Sequence, residues 1–201
     1  MVVRGTQGYG DDAEEFIRRS ESIPFASKHR AFIHLVPTEP CTILDIGAGS
    51  GADAAGLASL GHRVLAVEPT EKLRLAGMEL HASDQIEWDD DSLPLLPRTV
   101  TRRETFDIVL IHAVWMHLDA EERARAMPVV ASLMRPGGVL LLSLRHGQVP
   151  AGRLMFEVSG EETIRLAQAA GLRMMVNIEA ESIQTWNRQA GVTWTHLAFQ
   201  R

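Results

Sequence analysis

The sequence predicts an α/β fold in three layers, with helices on both faces of a seven-stranded, mostly parallel sheet that ends in an antiparallel hairpin. Three observations predict it. Short apolar segments alternate with helical ones from residue 42 onward. A glycine-rich loop follows the first apolar segment, as in sheets that bind a ligand at their carboxyl edge. The last two strand segments are joined by too few residues for a helical crossover, so we expect them to pair antiparallel.

The first elements follow from apolar spacing and from residues that end helices. Residues 11–36 are predicted to be mainly helical and in two pieces, because Pro24 interrupts the apolar pattern. The acidic segment from Asp89 to Pro97 is expected to be a loop. Between these regions, strands are predicted at 42–46, 63–67 and 85–88, and helices at 51–60 and around 70–80.

Two strongly apolar strands dominate the second half of the chain. Residues 106–111 and 139–144 are apolar runs of the kind that parallel sheets bury on both faces. Residues 135–138 are expected to end the helix that precedes the second of them. The remaining predicted elements are helices at 119–134 and 161–170 and strands at about 172–179 and at 192–200. A further short strand near 154–158 is left open, in addition to the seven strands of the sheet.

The composition narrows the class of protein. Hydrophobic residues make up 45% and charged residues 23% of the chain, which are values typical of a globular domain. The formal net charge of −6 argues against a broad nucleic-acid-binding face. No apolar run is long enough to span a membrane, and residues 1–6 lack the apolar core of a signal peptide. The single cysteine, Cys41, fits a reducing compartment, so we expect a cytoplasmic protein.

The most informative segment is Asp45-Ile46-Gly47-Ala48-Gly49-Ser50-Gly51, in which an acidic residue near the end of a strand precedes three glycines. The spacing is G-x-G-x-G, whereas a dinucleotide fingerprint is written G-x-G-x-x-G. The next predicted strand ends in Glu68, whose two carboxylate oxygens suit a diol. The helix after the loop offers free N–H groups to an anion, and Asp45 can bind an amino group.

This loop resembles the first motif of the class I S-adenosylmethionine-dependent methyltransferases. In that family the acidic residue corresponding to Glu68 accepts hydrogen bonds from both ribose hydroxyls. The resemblance covers about residues 40–200 and implies S-adenosylmethionine as the cofactor and S-adenosylhomocysteine as the product. It also implies one methyltransferase domain over 1–201, with an N-terminal helical lid at 1–36 and a Rossmann-like core at 37–201. The implied cofactor-binding residues are Asp45, Gly47, Ala48, Gly49, Gly51, Asp53, Glu68, Pro69, Asp89, Asp90, Asp91, His112 and Ala113.

Two of these assignments stay open. The family holds the adenine amino group with an acidic residue after the third strand. Asp89 fits its D-x-x-x-L-P pattern here, but alignment from the strand favours Asp91, and Asp90 lies between them. Each can equally be part of a solvated acidic loop. Asp53 lies in the first turn of its helix, where it either favours the helix dipole or contacts the cofactor.

The segment from Ile111 to Leu118 resembles the family's fourth motif, although Met116 stands where the first histidine of His-His-Leu is common. The Asn/Asp-Pro-Pro-aromatic motif of enzymes that methylate nucleobase amines is absent. No clear set of carboxylates for a magnesium ion is present, so we expect no metal.

Catalytic candidates should lie at the carboxyl edge of the sheet, after its fourth and fifth strands. His117 and His146 suit a general base near neutral pH, and Arg145 can bind a carboxylate through two hydrogen bonds. The alternative for each is a helix-capping or surface residue. Side chains that can cover the cofactor or line the acceptor pocket, or else belong to ordinary core, are Tyr9, Phe25, His29, Arg30 and Trp115.

The sequence therefore favours an enzyme that moves a methyl group from S-adenosylmethionine to O, N, S or C of a small molecule by in-line displacement. One alternative keeps the fold and the cofactor but lacks turnover, as a regulatory module or partner subunit. A second is a nicotinamide-dependent oxidoreductase, which the glycine spacing disfavours. A macromolecular acceptor is a third, and net acidity weakens it for RNA. The acceptor and the oligomeric state are not encoded in any pattern that we identify.

Overall fold

The computed structural model describes residues 3–201 and contains a single seven-stranded sheet in this part of the chain. The strand order is β3-β2-β1-β4-β5-β7-β6, and all neighbours are parallel except β7, which runs antiparallel to β5 and β6. The strands are β1 (Thr42–Ile46), β2 (Arg63–Val67), β3 (Ile86–Asp89), β4 (Phe106–His112), β5 (Met134–His146), β6 (Arg173–Glu181) and β7 (Thr193–Gln200).

Helices cover both faces of this sheet. They are α1 (Ala13–Glu21), α2 (Phe25–Lys28), α3 (Ala52–Ser59), α4 (Glu71–Leu80), α5 (Pro97–Thr101), α6 (Ala120–Leu133), α7 (Gly160–Ala169) and α8 (Thr185–Gln189). Short 3₁₀ turns at Ile33–Leu35 and Trp115–His117 complete the chain. Among residues 3–201, no helix is both long and apolar enough to cross a bilayer.

The core divides into two halves because successive residues of a strand point to opposite faces. On one face, Ile43 packs with Leu57 of α3 and with Phe32 from the N-terminal segment. On the other, Leu44 belongs to the larger half, to which α6 and α7 contribute Val130 and Ala167. Both halves are almost fully buried, which explains the continuous apolar runs of the central strands. The predicted three-layer α/β arrangement is confirmed.

The antiparallel hairpin predicted at the end of the chain is also confirmed. β7 lies between β5 and β6. Leu197 of β7 pairs with Leu142 of β5 on one side and with Asn177 of β6 on the other. The connection between β6 and β7 contains the five-residue helix α8, which is too short to carry the chain across the sheet. β6 therefore forms the edge of the sheet and is largely exposed.

Three local predictions differ from the structure. No strand forms at 154–158, because β4 and β7 already occupy both edges of β5; the segment is held by a hydrogen bond from Phe156 N–H to the Met116 carbonyl. The loop predicted from Asp89 to Pro97 is followed by a helix that was not predicted, α5, which begins at Pro97. The strand predicted at 139–144 begins earlier, at Met134, so residues 135–138 follow the end of α6 as expected but already belong to β5, where the register against β4 shifts.

Candidate active site

A cavity of about 380 Å³ opens at the carboxyl ends of the parallel strands, where α/β sheets bind their ligands. The residues that directly follow β1, β2 and β4 line it: Gly47, Glu68 and Ala113. The other walls come from the N-terminal segment, from the segment after β5 and from the connection between β6 and β7. The site is therefore built by the topology of the sheet and closed by segments outside it.

The glycine loop turns tightly after β1. Gly47, Gly49 and Gly51 all have positive φ, the left-handed region that glycine enters without a Cβ clash. The N–H groups of Gly47 and Ala48 donate to the carbonyl of Val67, which ties the loop to the end of β2. A side chain at Gly47 would collide with Val114, so the loop and the end of β4 approach closely. Gly51 caps α3 and does not line the cavity.

Glu68 joins the loop to the cavity wall. One of its carboxylate oxygens accepts the Gly49 N–H at 2.9 Å and the other accepts the Thr70 N–H at 2.7 Å. Burial raises the pKa of Glu68, against the opposing effect of these backbone donors. A carboxylate oxygen accepts more than one hydrogen bond, so Glu68 keeps acceptor capacity for a ligand hydroxyl. The neighbouring Pro69 also lines the cavity.

Asp45 carries an unsatisfied acceptor. Its side chain is buried, and Oδ2 has no hydrogen-bond partner in residues 3–201. Burial and the nearby carboxylate of Asp53 raise its pKa well above the usual value, while the Lys28 ammonium acts in the opposite direction. A buried acceptor without a donor is unfavourable, so a cationic amino group from a ligand would stabilise it.

Asp53 points from the first turn of α3 into a group of basic side chains and lines the cavity. Its Oδ1 lies 2.8 Å from Lys28 Nζ and 3.0 Å from His29 Nε2. Burial opposes ionisation, but His29 and Lys28 outweigh it and lower the pKa of Asp53. Asp53 is thus an ion-pair partner at the cavity wall as well as an acidic residue at a helix N-terminus.

The three acidic residues after β3 have different surroundings. Asp91 alone of the three lines the cavity, but its two oxygens accept hydrogen bonds from Ser92 and Thr99, which fix the start of α5. Asp89 pairs with Arg98 at 2.8 Å. Asp90 is exposed on the outer side of the loop. The adenine contact stays a prediction among these residues.

The end of β4 presents His112 and Ala113 to the cavity. Ala113 has a φ of 58°, unusual for a residue with a Cβ, and its N–H donates to Ser143 Oγ at 3.0 Å. His112 Nδ1 lies 2.8 Å from the same oxygen, and its ring stacks on Trp194. Burial lowers the pKa of His112 to about 3, so the imidazole is neutral at pH 7.

Of the predicted catalytic residues, the structure brings His117 and Arg145 to the cavity. His117 Nδ1 lies 2.6 Å from the Leu154 carbonyl and therefore carries the proton, which leaves Nε2 to accept from the Tyr9 hydroxyl at 3.0 Å. Burial lowers the pKa of His117 and that of Arg145. Arg145 has no carboxylate within ion-pair distance in the described part of the chain.

His146 does not reach the cavity. It follows Arg145 on β5, and neighbouring residues of a strand point to opposite faces. Its Nε2 instead lies 2.7 Å from the Thr195 hydroxyl on β7. The expectation that both residues face the acceptor is therefore not met.

Of the residues predicted to cover the cofactor or line the acceptor pocket, some lie at the cavity and others do not. Tyr9 lines the cavity, and Arg153 stacks on its ring at 3.9 Å. Phe25 packs on α3 at Gly56, and Trp115 is fully buried in the core. His29 is buried behind Asp53, and Arg30 points to solvent. Sequence reasoning missed further cavity residues, chiefly Lys28, Arg153, Trp186, Trp194 and His196.

In comparisons with known proteins, the chain is similar in sequence to methyltransferases. It matches the model of a family described as a methyltransferase domain over residues 44–142. An uncharacterized methyltransferase of Mycobacterium tuberculosis is 34% identical over 107 residues, which are 53% of this chain and 40% of that protein. The matches to curated relatives span between 40% and 46% of the relatives' own lengths.

Solved structures show the same fold. Magnesium protoporphyrin IX methyltransferase from Synechocystis, crystallised with S-adenosylhomocysteine, has a TM-score of 0.73 at 16% identity and covers 98% of this chain and 95% of its own. The 1,6-didemethyltoxoflavin-N1-methyltransferase of Burkholderia thailandensis, with 1,6-didemethyltoxoflavin and S-adenosylhomocysteine bound, has a TM-score of 0.67 at 21% identity, covering 96% and 83%. These likenesses confirm the predicted sheet with its antiparallel hairpin.

Proposed function

We propose that this chain is a class I S-adenosylmethionine-dependent methyltransferase and that it transfers a methyl group from S-adenosylmethionine to a small-molecule acceptor. The observation that carries the proposal is the glycine loop at the cavity, next to which the buried Oδ2 of Asp45 has no hydrogen-bond donor within residues 3–201. Asp45 itself does not line the cavity, but Ile46 and Gly47, which directly follow it, do. An α-amino group of the cofactor supplies the missing donor and the opposite charge.

The other cofactor contacts follow from the same cavity wall. Glu68 is the acceptor for the ribose hydroxyls, through the lone pairs that Gly49 and Thr70 leave free. Gly47 and Gly49 also line the cavity and present backbone without a Cβ to the cofactor, while Val114 and Phe16 occupy the space beside them. Lys28 and Asp91 are further candidates, because both line the cavity. The fit of these residues to an amino acid joined to a nucleoside supports the proposed ligand.

The bound cofactor supplies an electrophilic methyl group on a sulfonium, and the protein has to orient the acceptor in line with it. An acceptor that still carries its proton needs a base. We assign this role to His117, whose Nε2 is unprotonated and reaches the cavity through the Tyr9 hydroxyl. Arg145, without an acidic partner, orients an acceptor that bears a carboxylate or another acidic group.

The walls of the cavity support the proposal that the methyl acceptor is a small molecule. The cavity is bounded by the sheet, by residues 3–28, by residues 150–155 and by residues 181–187. Its volume of about 380 Å³ falls within the range of small-molecule sites. Trp186, Trp194 and Met155 supply apolar surface opposite the charged residues. An acceptor with an apolar or aromatic body fits these walls.

Isothermal titration calorimetry tests the cofactor site. We expect S-adenosylmethionine and S-adenosylhomocysteine to bind the native chain, and binding to weaken at least about tenfold, or about 1.4 kcal/mol, in Asp45→Asn and in Glu68→Gln. Glu87→Gln is the matched control, since Glu87 is exposed and pairs with Arg102 away from the cavity. A folded native chain that binds neither compound would contradict the proposal.

Turnover is tested separately by transfer of a radiolabelled methyl group to a panel of small aromatic, amine and carboxylate acceptors. The methyltransferase proposal expects product with at least one acceptor class, and a lower rate for acidic acceptors in Arg145→Gln. Tight cofactor binding without product across the panel would favour the alternative of a cofactor-binding module.

A further inference from the structure

We propose that His29, Asp53 and His112 form a binding site for a divalent transition-metal ion at the wall of the cavity. One donor atom from each of the three residues lies within 4.8 Å of the other two. They come from the segment after α2, from the first turn of α3 and from the end of β4, which the fold brings together. No metal was expected from the sequence, in which no set of carboxylates for a magnesium ion is present and these three residues lie far apart.

The nitrogen of His29 and the carboxylate oxygen of Asp53 lie close together but are not aligned for a hydrogen bond. His29 is buried, and its Nε2 lies 3.0 Å from Asp53 Oδ1 without forming an aligned hydrogen bond. Two ligand atoms at this distance without an aligned hydrogen bond are at the spacing of two ligands of one ion. Within residues 3–201, the buried Nε2 of His29 makes no hydrogen bond, and this is a second indication that a ligand belongs here.

The surroundings of His112 support the same role. Its Nδ1 is held by Ser143 Oγ at 2.8 Å, which leaves Nε2 as the nitrogen available to an ion. Metal-ligating histidines commonly use their second ring nitrogen in this way, because the outer hydrogen bond fixes the ring. Stacking on Trp194 further restricts the ring.

The donor set selects the kind of ion. Two imidazole nitrogens and one carboxylate suit Zn²⁺, Fe²⁺ and related ions, whereas Mg²⁺ and Ca²⁺ prefer oxygen ligands only. Three protein ligands leave coordination positions free. Asp53 and His112 both line the cavity, so the proposed ion site adjoins it. On the proposed function, an ion there can bind a heteroatom of the acceptor and lower its pKa. Ion binding itself does not rest on the proposed function.

Lys28 opposes the ion and provides the sharpest test. Its ammonium lies 2.8 Å from Asp53 Oδ1, the same oxygen that lies beside His29 Nε2, so an ion has to compete with this positive charge for the carboxylate. Removing that charge without removing a ligand should strengthen metal binding. Lys28→Met keeps the length and apolar stem of the side chain.

The experiment is a competition titration of metal-free protein with Zn²⁺ against a chromogenic zinc indicator, in the absence of S-adenosylmethionine. We expect one ion per native chain, at least tenfold weaker binding in His29→Ala and in Asp53→Asn, and tighter binding in Lys28→Met. His34→Ala is the matched control, because His34 is an exposed histidine of the same segment, and its binding should equal that of the native chain. Substitution with Co²⁺ then reports nitrogen ligation through the visible absorption of that ion.

Two outcomes overturn the metal site. One is the absence of zinc binding in both the native chain and Lys28→Met, with folding verified by circular dichroism. The other is binding that His29→Ala leaves unchanged, which would assign the ion to other residues. Calorimetry with S-adenosylmethionine on the same metal-free samples shows separately whether the proposed cofactor site functions.

Discussion

Gly51 is a residue at which both backbone conformation and space exclude a side chain. Its φ is 84°, and a Cβ there would lie 2.7 Å from the ring of Trp88. We predict that Gly51→Ala lowers the free energy of unfolding by about 2–5 kcal/mol, of which about 1–2 kcal/mol is the backbone penalty and the rest steric overlap. Urea denaturation measures the change.

Gly61 separates the two contributions to that loss. It has a similar φ of 93° at the end of α3, but nothing lies within 4 Å of a Cβ built there. Gly61→Ala should therefore lose only the backbone part, about 1–2 kcal/mol. Equal losses in the two variants would show that Trp88 moves aside freely and that packing under the loop is loose.

Cys41 illustrates how burial controls reactivity at a single residue. Desolvation and the nearby Asp107 carboxylate raise the pKa of its thiol to about 11. Because the thiolate is the nucleophile, we predict alkylation by iodoacetamide at pH 8 to be about 100-fold slower than for an ordinary cysteine. The same chain unfolded in urea is the internal reference. A folded-state rate equal to the unfolded one would mean that the thiol ionises normally.

At the scale of elements, α1 is fastened over the cavity by one carboxylate. Glu21 Oε1 accepts from Ser50 Oγ in the glycine loop at 2.6 Å and lies 3.1 Å from His81 Nε2 at the end of α4. Phe16 of the same helix covers Gly49. Closure of the N-terminal segment is thus coupled to the loop that we assign to the cofactor.

We predict that Glu21→Gln loosens this helix without unfolding the sheet. Amide hydrogen exchange in residues 13–21 should accelerate about fivefold, equivalent to about 1 kcal/mol for the weakened hydrogen bonds, while exchange in β1 and β4 stays unchanged. Glu15→Gln is the control, since Glu15 contacts only Arg18 and Arg19 within the helix. Unchanged exchange in Glu21→Gln would show that packing alone holds α1.

Elements were more predictable from the sequence than side-chain directions. The strands at 42–46 and 63–67 have the predicted bounds, because apolar runs and flanking turn residues fix them locally. The burial of the Trp115 side chain in the core was not predictable. A 3₁₀ turn begins at Trp115, so the alternation of side chains along β4 does not extend to it. Trp194 and His196 share a face of β7, but only the pairing of β7 with β5 aims that face at the site.

At the scale of the whole molecule, the N-terminal segment divides into a part that covers the cavity and a part that belongs to the core. Tyr9, Phe16 and Ile23 line the cavity, whereas Phe32 is 1% exposed and packs in the core against the sheet. A lid ending at residue 36, as the sequence suggested, therefore includes a core side chain. The two parts should respond differently to truncation.

We predict that a chain starting at residue 24 still unfolds cooperatively but binds S-adenosylmethionine at least about tenfold more weakly, because it loses one wall of the cavity. A chain starting at residue 37 should also lose about 3–5 kcal/mol of stability, since removal of Phe32 leaves a void in the core. Urea denaturation and calorimetry on both truncated chains measure these effects. If both chains were equally stable, Phe32 would contribute little to the core and the whole segment 1–36 would act as a lid.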